Sequence, residues 1–179
     1  KLIFQKEANA IALFPGGFGT HDEGFEILTL AQTGKSDPQP IVCLQAPGCD
    51  YWDEWYSFIT GQLLSRQLIS PEDLSLFKIT TSVDDAIDEI RNFYRRFHSI
   101  RYVGRFLAIR LTSSISPEQV AGLHETFGDL LSEGTFVLRG PLPEELDEPD
   151  LANLPRLAFT SNRRSASRLR QLIDHLNAL

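Results

Sequence analysis

The sequence predicts an α/β protein in which a parallel β-sheet packed with helices is followed by a small α+β unit. Two observations carry this prediction. Short, continuous apolar runs alternate with segments whose apolar residues recur at helical spacing, which is typical of buried parallel strands joined by helices. Near His98 the pattern changes, and the remaining segments follow in the order β-α-β-β-α. We therefore expect residues 1–97 and residues 98–179 to form separate regions.

The first region contains three predicted strands, which are the apolar runs "ANAIALF", "QPIVCLQ" and "LFKIT". The helix after the first strand ends naturally at Gly34, because glycine readily closes a helix. The helix after the third strand has Ser82 as its predicted N-cap. The helix after the second strand carries aromatic residues that we interpret as core or as a contact between subunits: Trp52, Trp55 and Tyr56.

The second region begins with one predicted strand, "RYVGRFLAIRL", and continues with a helix that has Pro117 near its start. Two further strands, "TFVLRG" and "PRLAFTS", are joined by a loop containing "EELDEPD", which is expected to be acidic and exposed. A final helix follows. The arginines around its start are interpreted as a solvated face, with a regulatory phosphate-rich ligand as the alternative: Arg163, Arg164, Arg168 and Arg170.

Composition excludes several classes of function. The 179 residues carry a net charge of −7, whereas nucleic acids and anionic membranes both attract a positive field. No segment approaches the roughly 18 consecutive apolar residues of a membrane span. The cysteines, Cys43 and Cys49, match neither a redox pair nor a zinc site, and reduced thiols favour a cytoplasmic protein. Cys43 lies in an apolar run and is interpreted as a core residue. We expect no nucleic-acid partner, no membrane partner and no bound metal.

The stretch "FPGGFGTHDE" places several glycines between a strand and a helix. The first amides of a helix have no intrahelical partners, the helix dipole attracts anions there, and glycine lets a phosphate approach the backbone closely. The loop lacks the lysine of G-x-x-x-x-G-K-[ST] and is not G-x-G-x-x-G. The alternative is a tight turn without a ligand. The candidate phosphate-binding residues are Gly16, Gly17, Gly19 and Thr20. The Thr20 hydroxyl is also expected to cap the helix.

A carboxylate follows this loop within one helical turn, at Glu23. An anion alone would not favour a carboxylate nearby, but a sugar phosphate could use both groups. Cleavage of a glycosidic bond passes through an oxocarbenium-like transition state, which a carboxylate stabilises. Glu23 is therefore the candidate catalytic residue. Glu26, on the same side of the helix, and His21, within the glycine-rich segment, are candidate supporting residues.

The residues "PGGFGTHDE" fit the signature PGGxGTxxE, and the chain resembles the LOG family of nucleotide 5'-monophosphate nucleosidases, including cytokinin-activating phosphoribohydrolases. The likeness continues through "EILTLAQTGK", "PIVCL", "YWDEWYSFI", "LISPEDLSLFKIT" and "SVDDAIDEI". It covers residues 1–97. The remaining residues are similar to the C-terminal extension of longer bacterial members.

The resemblance implies a Rossmann-like fold, of which this chain holds the second half, and a homodimer or higher homo-oligomer. It implies hydrolysis of the N-glycosidic bond of a nucleoside 5'-monophosphate such as AMP or a cytokinin ribotide, with no cofactor. The glycine loop would bind the phosphate, and Glu23 would act at the ribose. Two alternatives remain: a non-catalytic nucleotide or phosphate-cofactor carrier on the same fold, and a regulatory or oligomerisation role for the second region.

The resemblance also implies an "RK" pair whose lysine corresponds to Lys1 and whose arginine would precede it. The chain contains no methionine, so we expect it to be a piece of a longer protein. Older descriptions of the family as lysine decarboxylase-like imply pyridoxal-phosphate chemistry, which needs a lysine in a cofactor site. None of the four lysines, Lys1, Lys6, Lys35 and Lys78, lies in a recognisable cofactor motif.

Overall fold

The computed structural model describes residues 7–145 and 147–179, and these form two compact units. The first unit comprises the described residues up to Phe93 together with Ser165–Gln171. The second comprises Tyr94–Arg164, without residue 146, and Leu172–Leu179. The last helix therefore contributes its beginning to the first unit and its end to the second.

The first unit contains a three-stranded parallel sheet in the order β1-β2-β3, and helices flank it. The strands are β1 (Ile11–Leu13), β2 (Ile41–Leu44) and β3 (Lys78–Thr80). Ile11 pairs with Ile41, and Cys43 pairs with Ile79. The central strand is apolar and its first three residues are buried, as expected for a parallel strand covered on both faces.

Within the described residues, this unit contains the complete α-helices α1 (Phe18–Gln32), α2 (Tyr51–Phe58) and α3 (Val83–Phe93). A π-helical segment, Ile59–Leu64, continues α2, and a 3₁₀ helix, Pro71–Leu76, precedes β3. The prediction of alternating strands and helices is confirmed. The predicted N-cap of α3 is also confirmed, because the Ser82 hydroxyl accepts a hydrogen bond from the Asp85 amide at 3.2 Å.

The end of α1 follows from its sequence. Gly34 adopts a φ of +65°, a conformation that glycine reaches without a steric penalty. This lets the amide of Gly34 bond to the Ala31 carbonyl and the amide of Lys35 bond to the Leu30 carbonyl. The apolar face of α1 contributes Ile27 to a core that also contains Ile11 and Ile41. Burial of these side chains anchors the helix that carries the glycine loop at its start.

Both cysteines are free thiols. Cys43 is buried in β2, and burial raises the pKa of its thiol to about 12. Cys49 is partly buried in the segment that leads into α2. The interpretation of Cys43 as a core residue is therefore confirmed.

The second unit contains a four-stranded antiparallel sheet in the order β4-β5-β7-β6. Its strands are β4 (Phe97–Val103), β5 (Phe106–Leu111), β6 (Leu131–Arg139) and β7 (Arg156–Ser161). The sequence predicts one strand where the structure has the hairpin of β4 and β5, so the order is β-β-α-β-β-α. Gly104 explains the difference: with a φ of +59° it begins a two-residue turn inside an otherwise strand-like run.

Within the described residues, two α-helices belong wholly or partly to this unit: α4 (Pro117–Phe127) and α5 (Ala166–Ala178), of which residues 172–178 lie in this unit. Ser116 and Gln119 form a capping box at the start of α4, and Pro117 occupies the first turn as predicted. The core contains fully buried apolar side chains from strands and helices, including Leu107, Ile109, Leu123, Leu157, Leu172 and Ile173. Among the described residues, no helix is long and apolar enough to cross a lipid bilayer.

Candidate functional site

The glycine loop lies where β1 ends and α1 begins. Leu13 is the last residue of β1, and Gly17 is the N-cap of α1. The Gly17 carbonyl accepts hydrogen bonds from the amides of Thr20 at 3.1 Å and His21 at 3.4 Å. The amides of Phe18 and Gly19 come before Thr20, the first residue whose amide donates within the helix, and therefore have no partner there. The loop thus presents donors at the positive end of a helix of 15 residues.

Close packing against Thr20 requires a glycine at position 16. A Cβ atom at this position would lie 2.2 Å from the Thr20 hydroxyl oxygen and 3.2 Å from its Cβ. Thr20 therefore packs directly against the Gly16 backbone. The Thr20 hydroxyl does not cap the helix, because Gly17 is the N-cap and no side chain makes a capping hydrogen bond at this end. Our expectation that Thr20 caps the helix is wrong, since it lies within the first turn.

Gly17 and Gly19 differ from Gly16. A Cβ at either position would meet no atom of the described residues within 4 Å, apart from those of its own immediate backbone. Neither residue has a positive φ. Packing and backbone conformation within the described fold therefore do not require glycine at these two positions. Beside them, the Phe18 side chain is 95% exposed, which is unusual for an aromatic residue.

Tyr51, at the start of α2, contacts the glycine loop from the neighbouring strand–helix connection. Its hydroxyl lies 2.6 Å from the Gly16 carbonyl oxygen and 2.8 Å from Nε2 of His21. The rings of Tyr51 and His21 are stacked, with centroids 5.7 Å apart. His21 lies in the first turn of α1 rather than in the loop. No local sequence pattern relates Tyr51 to Gly16, 35 positions earlier, so the sequence alone does not predict Tyr51 as part of the site.

Gln45 holds the start of α2 in place. Its side-chain oxygen accepts a hydrogen bond from the Trp52 amide at 2.6 Å, and its Nε2 donates to Asp53 at 2.7 Å. Gln45 directly follows β2 and is buried. It thereby satisfies an amide that a capping residue would otherwise bond. The end of β2 thus fixes the position of the helix that carries Tyr51.

Glu23 and Glu26 are partly buried residues of α1. Glu23 follows Gly19 by four residues and Thr20 by three, so these positions share one face of the helix. Along the axis, Glu23 lies about 9 Å beyond the N-cap at a rise of about 1.5 Å per residue. Glu26 lies one further turn along the same face. The arrangement offers an anion-binding end followed by carboxylates on one helix face.

The aromatic residues of α2 are divided between core and surface. Trp52 is 1% exposed and donates its indole N–H to the Leu44 carbonyl at 3.2 Å. Trp55 stacks edge-on against Trp52 and Phe77. Tyr56 is 38% exposed. The interpretation as core is confirmed for Trp52.

The prediction that the acidic loop of the second unit is exposed is wrong for Glu145. Glu145 is buried and bonds to Arg110 at 2.9 Å and to the Leu142 amide at 2.8 Å. It also pairs with Arg156, which is 0% exposed, at 3.4 Å. Burial alone would raise the pKa of Glu145, but the Leu142 amide and the two guanidinium groups outweigh it and lower the pKa.

Glu148 completes this network by pairing with both Arg110 and Arg101. Arg110 lies opposite Arg156 in the sheet and Arg101 lies on the same sheet face, so the basic side chains converge. Asp147 adds a bond to Arg101 at 2.6 Å. These charges neutralise one another within the unit, and we define them as the arginine network: Arg101, Arg110, Arg156, Glu145, Asp147 and Glu148.

Three of the arginines near the start of α5 have different partners. Arg163 lies over the Tyr102 ring at 4.4 Å. Arg168 bonds to Gln171 at 2.7 Å, and Arg170 is buried and pairs with Glu89 at 2.9 Å. The interpretation as a solvated face is wrong for Arg170. Among the described residues, no group of three or more histidine, cysteine, aspartate or glutamate side chains could hold a metal ion.

A family model described as "Possible lysine decarboxylase" matches residues 1–90 of this chain. The chain belongs to this family, the LOG family. It is 27% identical over 100 residues to the cytokinin riboside 5'-monophosphate phosphoribohydrolase LOG1 of Arabidopsis thaliana. That alignment covers 56% of this chain and 45% of the plant protein, so the chain spans about half the length of the curated relative it matches. The predicted family is confirmed.

Proposed function

We propose that the protein hydrolyses the N-glycosidic bond of a nucleoside 5'-monophosphate, of the AMP or cytokinin ribotide type. Water adds to C1′ of the ribose, the bond from C1′ to the base nitrogen breaks, and the base takes up a proton. The products are the free base and ribose 5-phosphate. The family membership and the relative's printed activity support this reaction. We further propose that the protein acts as a homodimer or a larger homo-oligomer.

The observation that carries the proposal is the open space at Gly17 and Gly19. The described fold leaves room for a side chain at both positions, yet both are glycine. Glycine there suits a ligand that approaches the backbone closely. Because these residues lie at the N-terminus of α1, the ligand group that best fits is a phosphate. Gly16 and Thr20 would then shape the loop, and the amides would hold the anion.

Glu23 supplies the chemistry in this proposal. A phosphate at the start of α1 would direct the attached sugar along the helix face that carries Glu23. As the bond to the base breaks, positive charge develops at C1′ and the ring oxygen. A carboxylate stabilises that charge more strongly than it stabilises the neutral substrate, which is the condition for catalysis. Glu26, one turn further, would support the negative potential at the site.

The second candidate, a non-catalytic nucleotide or phosphate-cofactor carrier, would use the same loop without bond cleavage.

Lysine decarboxylation has no comparable support. Lys35 is exposed, and Lys78 is an exposed residue that pairs with Glu89 at 3.1 Å. A Schiff-base lysine needs a low-dielectric cofactor pocket, and neither of the two lysines within the described residues has one.

The proposal is tested by incubating the full chain and its Glu23→Gln variant with AMP and with a cytokinin ribotide. Free base and ribose 5-phosphate should form with the unaltered protein. The variant keeps the shape of the side chain but loses its charge, so its kcat should fall by about 10²- to 10³-fold, a typical loss for one stabilising group. Its affinity for AMP, measured by calorimetry, should change little.

Glu54→Gln is a matched control, because Glu54 is an exposed carboxylate on α2. Its kcat should equal that of the unaltered protein. Binding of AMP without release of base would favour the carrier. Equal rates for Glu23→Gln and the unaltered protein would contradict the assignment of Glu23.

A further inference from the structure

We propose that Tyr51 is a positioning residue that orients the Gly16–Gly17 peptide of the phosphate-binding loop. This inference rests on the proposed function and assigns a role to a residue outside the glycine motif. Tyr51 reaches the loop from α2 and donates its hydroxyl proton to the Gly16 carbonyl at 2.6 Å. It therefore connects two successive strand–helix junctions of the first unit.

The carbonyl of Gly16 and the amide of Gly17 belong to one planar peptide group. Among the described residues there is no cis peptide bond, so this carbonyl and this amide point in opposite directions. Fixing the carbonyl with the Tyr51 hydroxyl therefore also fixes the direction of the Gly17 N–H. Thr20 restrains the other side of Gly16 through close packing. The first donor of the proposed phosphate site is thus oriented before a ligand arrives, which lowers the free-energy cost of binding.

His21 completes the arrangement. A tyrosine hydroxyl has one proton, and the Gly16 carbonyl can only accept. At 2.8 Å from the same hydroxyl, Nε2 of His21 must therefore be the donor in the second bond. The stacking of the two rings holds this geometry. Nε2 is consequently committed to Tyr51, so His21 supports the loop through Tyr51 and is unsuited to protonate a departing base through that atom.

The test compares Tyr51→Phe with Tyr56→Phe. Each removes a single hydroxyl from the same helix, but within the described residues the Tyr56 hydroxyl makes no hydrogen bond. Ribose 5-phosphate is the probe, and calorimetry at fixed ionic strength measures its affinity. Tyr51→Phe should bind it about five- to tenfold more weakly, as expected for the loss of one hydrogen bond. Tyr56→Phe should bind it as the unaltered protein does.

Two further readouts separate positioning from a general loss of structure. With AMP as substrate, Tyr51→Phe should raise KM by the same factor and leave kcat unchanged, because phosphate binding contributes equally to the ground and transition states. Nitrogen-15 NMR should show His21 as the Nε2-protonated tautomer in the unaltered protein, and as a mixture of tautomers in Tyr51→Phe.

The outcomes distinguish this inference from the proposed function. If the unaltered protein neither binds ribose 5-phosphate nor releases base from AMP, the proposed function fails and the role of Tyr51 fails with it. If the unaltered protein binds the probe and Tyr51→Phe binds it equally well, the role of Tyr51 alone is overturned. An Nδ1-protonated His21 in the unaltered protein would also overturn it.

Discussion

The glycine loop of the first unit and the arginine network of the second unit handle polar groups in opposite ways. In the network, buried guanidinium and carboxylate groups pair with one another. In the loop, the first amides of α1 have no partner within the helix, and the space beside Gly17 and Gly19 is open. Charges that satisfy one another contribute to the folded state. Donors that the helix leaves unsatisfied are available to a ligand.

The largest expected effect is a loss of stability when Glu145, the buried carboxylate of the arginine network, is replaced. Glu145→Gln removes a buried charge and leaves Arg156 without its carboxylate partner. The free energy of unfolding should fall by about 3–5 kcal/mol, as is typical when one member of a buried ion pair is lost. Chemical denaturation measures this change.

Glu133→Gln is the matched control for Glu145→Gln. Glu133 pairs with Arg105 at 2.6 Å, but the two side chains are 54% and 68% exposed. Its loss should change the free energy of unfolding by less than about 1 kcal/mol, because solvent screens exposed pairs. Equal losses for the two variants would show that burial does not decide the strength of the arginine network.

A smaller effect is expected at Gly16, where the loop itself is tightly packed. Gly16→Ala brings a methyl group against Thr20, so the free energy of unfolding should fall by about 1–3 kcal/mol from overpacking. Gly17→Ala and Gly19→Ala should change it by less than about 1 kcal/mol. Thermal or urea unfolding of the three variants gives the comparison.

The two glycine substitutions with little effect on stability should have a clear effect on AMP binding. Gly17→Ala and Gly19→Ala should weaken AMP binding in calorimetry although both remain stably folded. Full AMP affinity in both variants would contradict the interpretation of the open space as room for a phosphate.

The smallest effect concerns the exposed part of the arginine network in acid. Hydrogen bonds from Arg110 and Arg101 lower the pKa of Glu148, and a hydrogen bond from Arg101 lowers that of Asp147. A carboxyl group whose pKa is lower in the folded state stabilises the fold above its unfolded pKa. That contribution should be lost as the pH falls below about 4.

The comparison of unaltered protein with Glu148→Gln isolates this effect. Their difference in unfolding free energy should be largest near neutral pH and approach zero in acid, where both side chains are uncharged. Added salt should reduce the difference at neutral pH, because the pairs are partly exposed. A difference that stays constant with pH would contradict an electrostatic origin.

Local sequence patterns predict much of the first unit. Continuous apolar runs identify β1 and β2, and the glycine loop with Gly34 marks the two ends of α1 correctly because helix ends depend on neighbouring residues. The contact of Tyr51 with Gly16 is not predictable in this way. It depends on the pairing of β1 with β2, which brings distant residues together.

The second unit shows the same limit. Arg110 and Arg156 lie in strands whose sequences suggest exposed positions for charged residues, and only the cross-strand pairing reveals their shared, buried partner. The sequence pattern does not predict the turn at Gly104, because the residues on both sides of it continue a strand-like pattern. Pairing between strands, long-range for Arg110 with Arg156 and local for the Gly104 hairpin, decides both features more than propensity does.

The buried thiol of Cys43 has a practical consequence. A thiol with a pKa of about 12 is almost entirely protonated at neutral pH, and maleimides react with the thiolate. Mild labelling should therefore modify Cys49 selectively. Cys49 lies two residues before Tyr51, so a fluorophore attached there would report on the junction next to the glycine loop without any engineered cysteine.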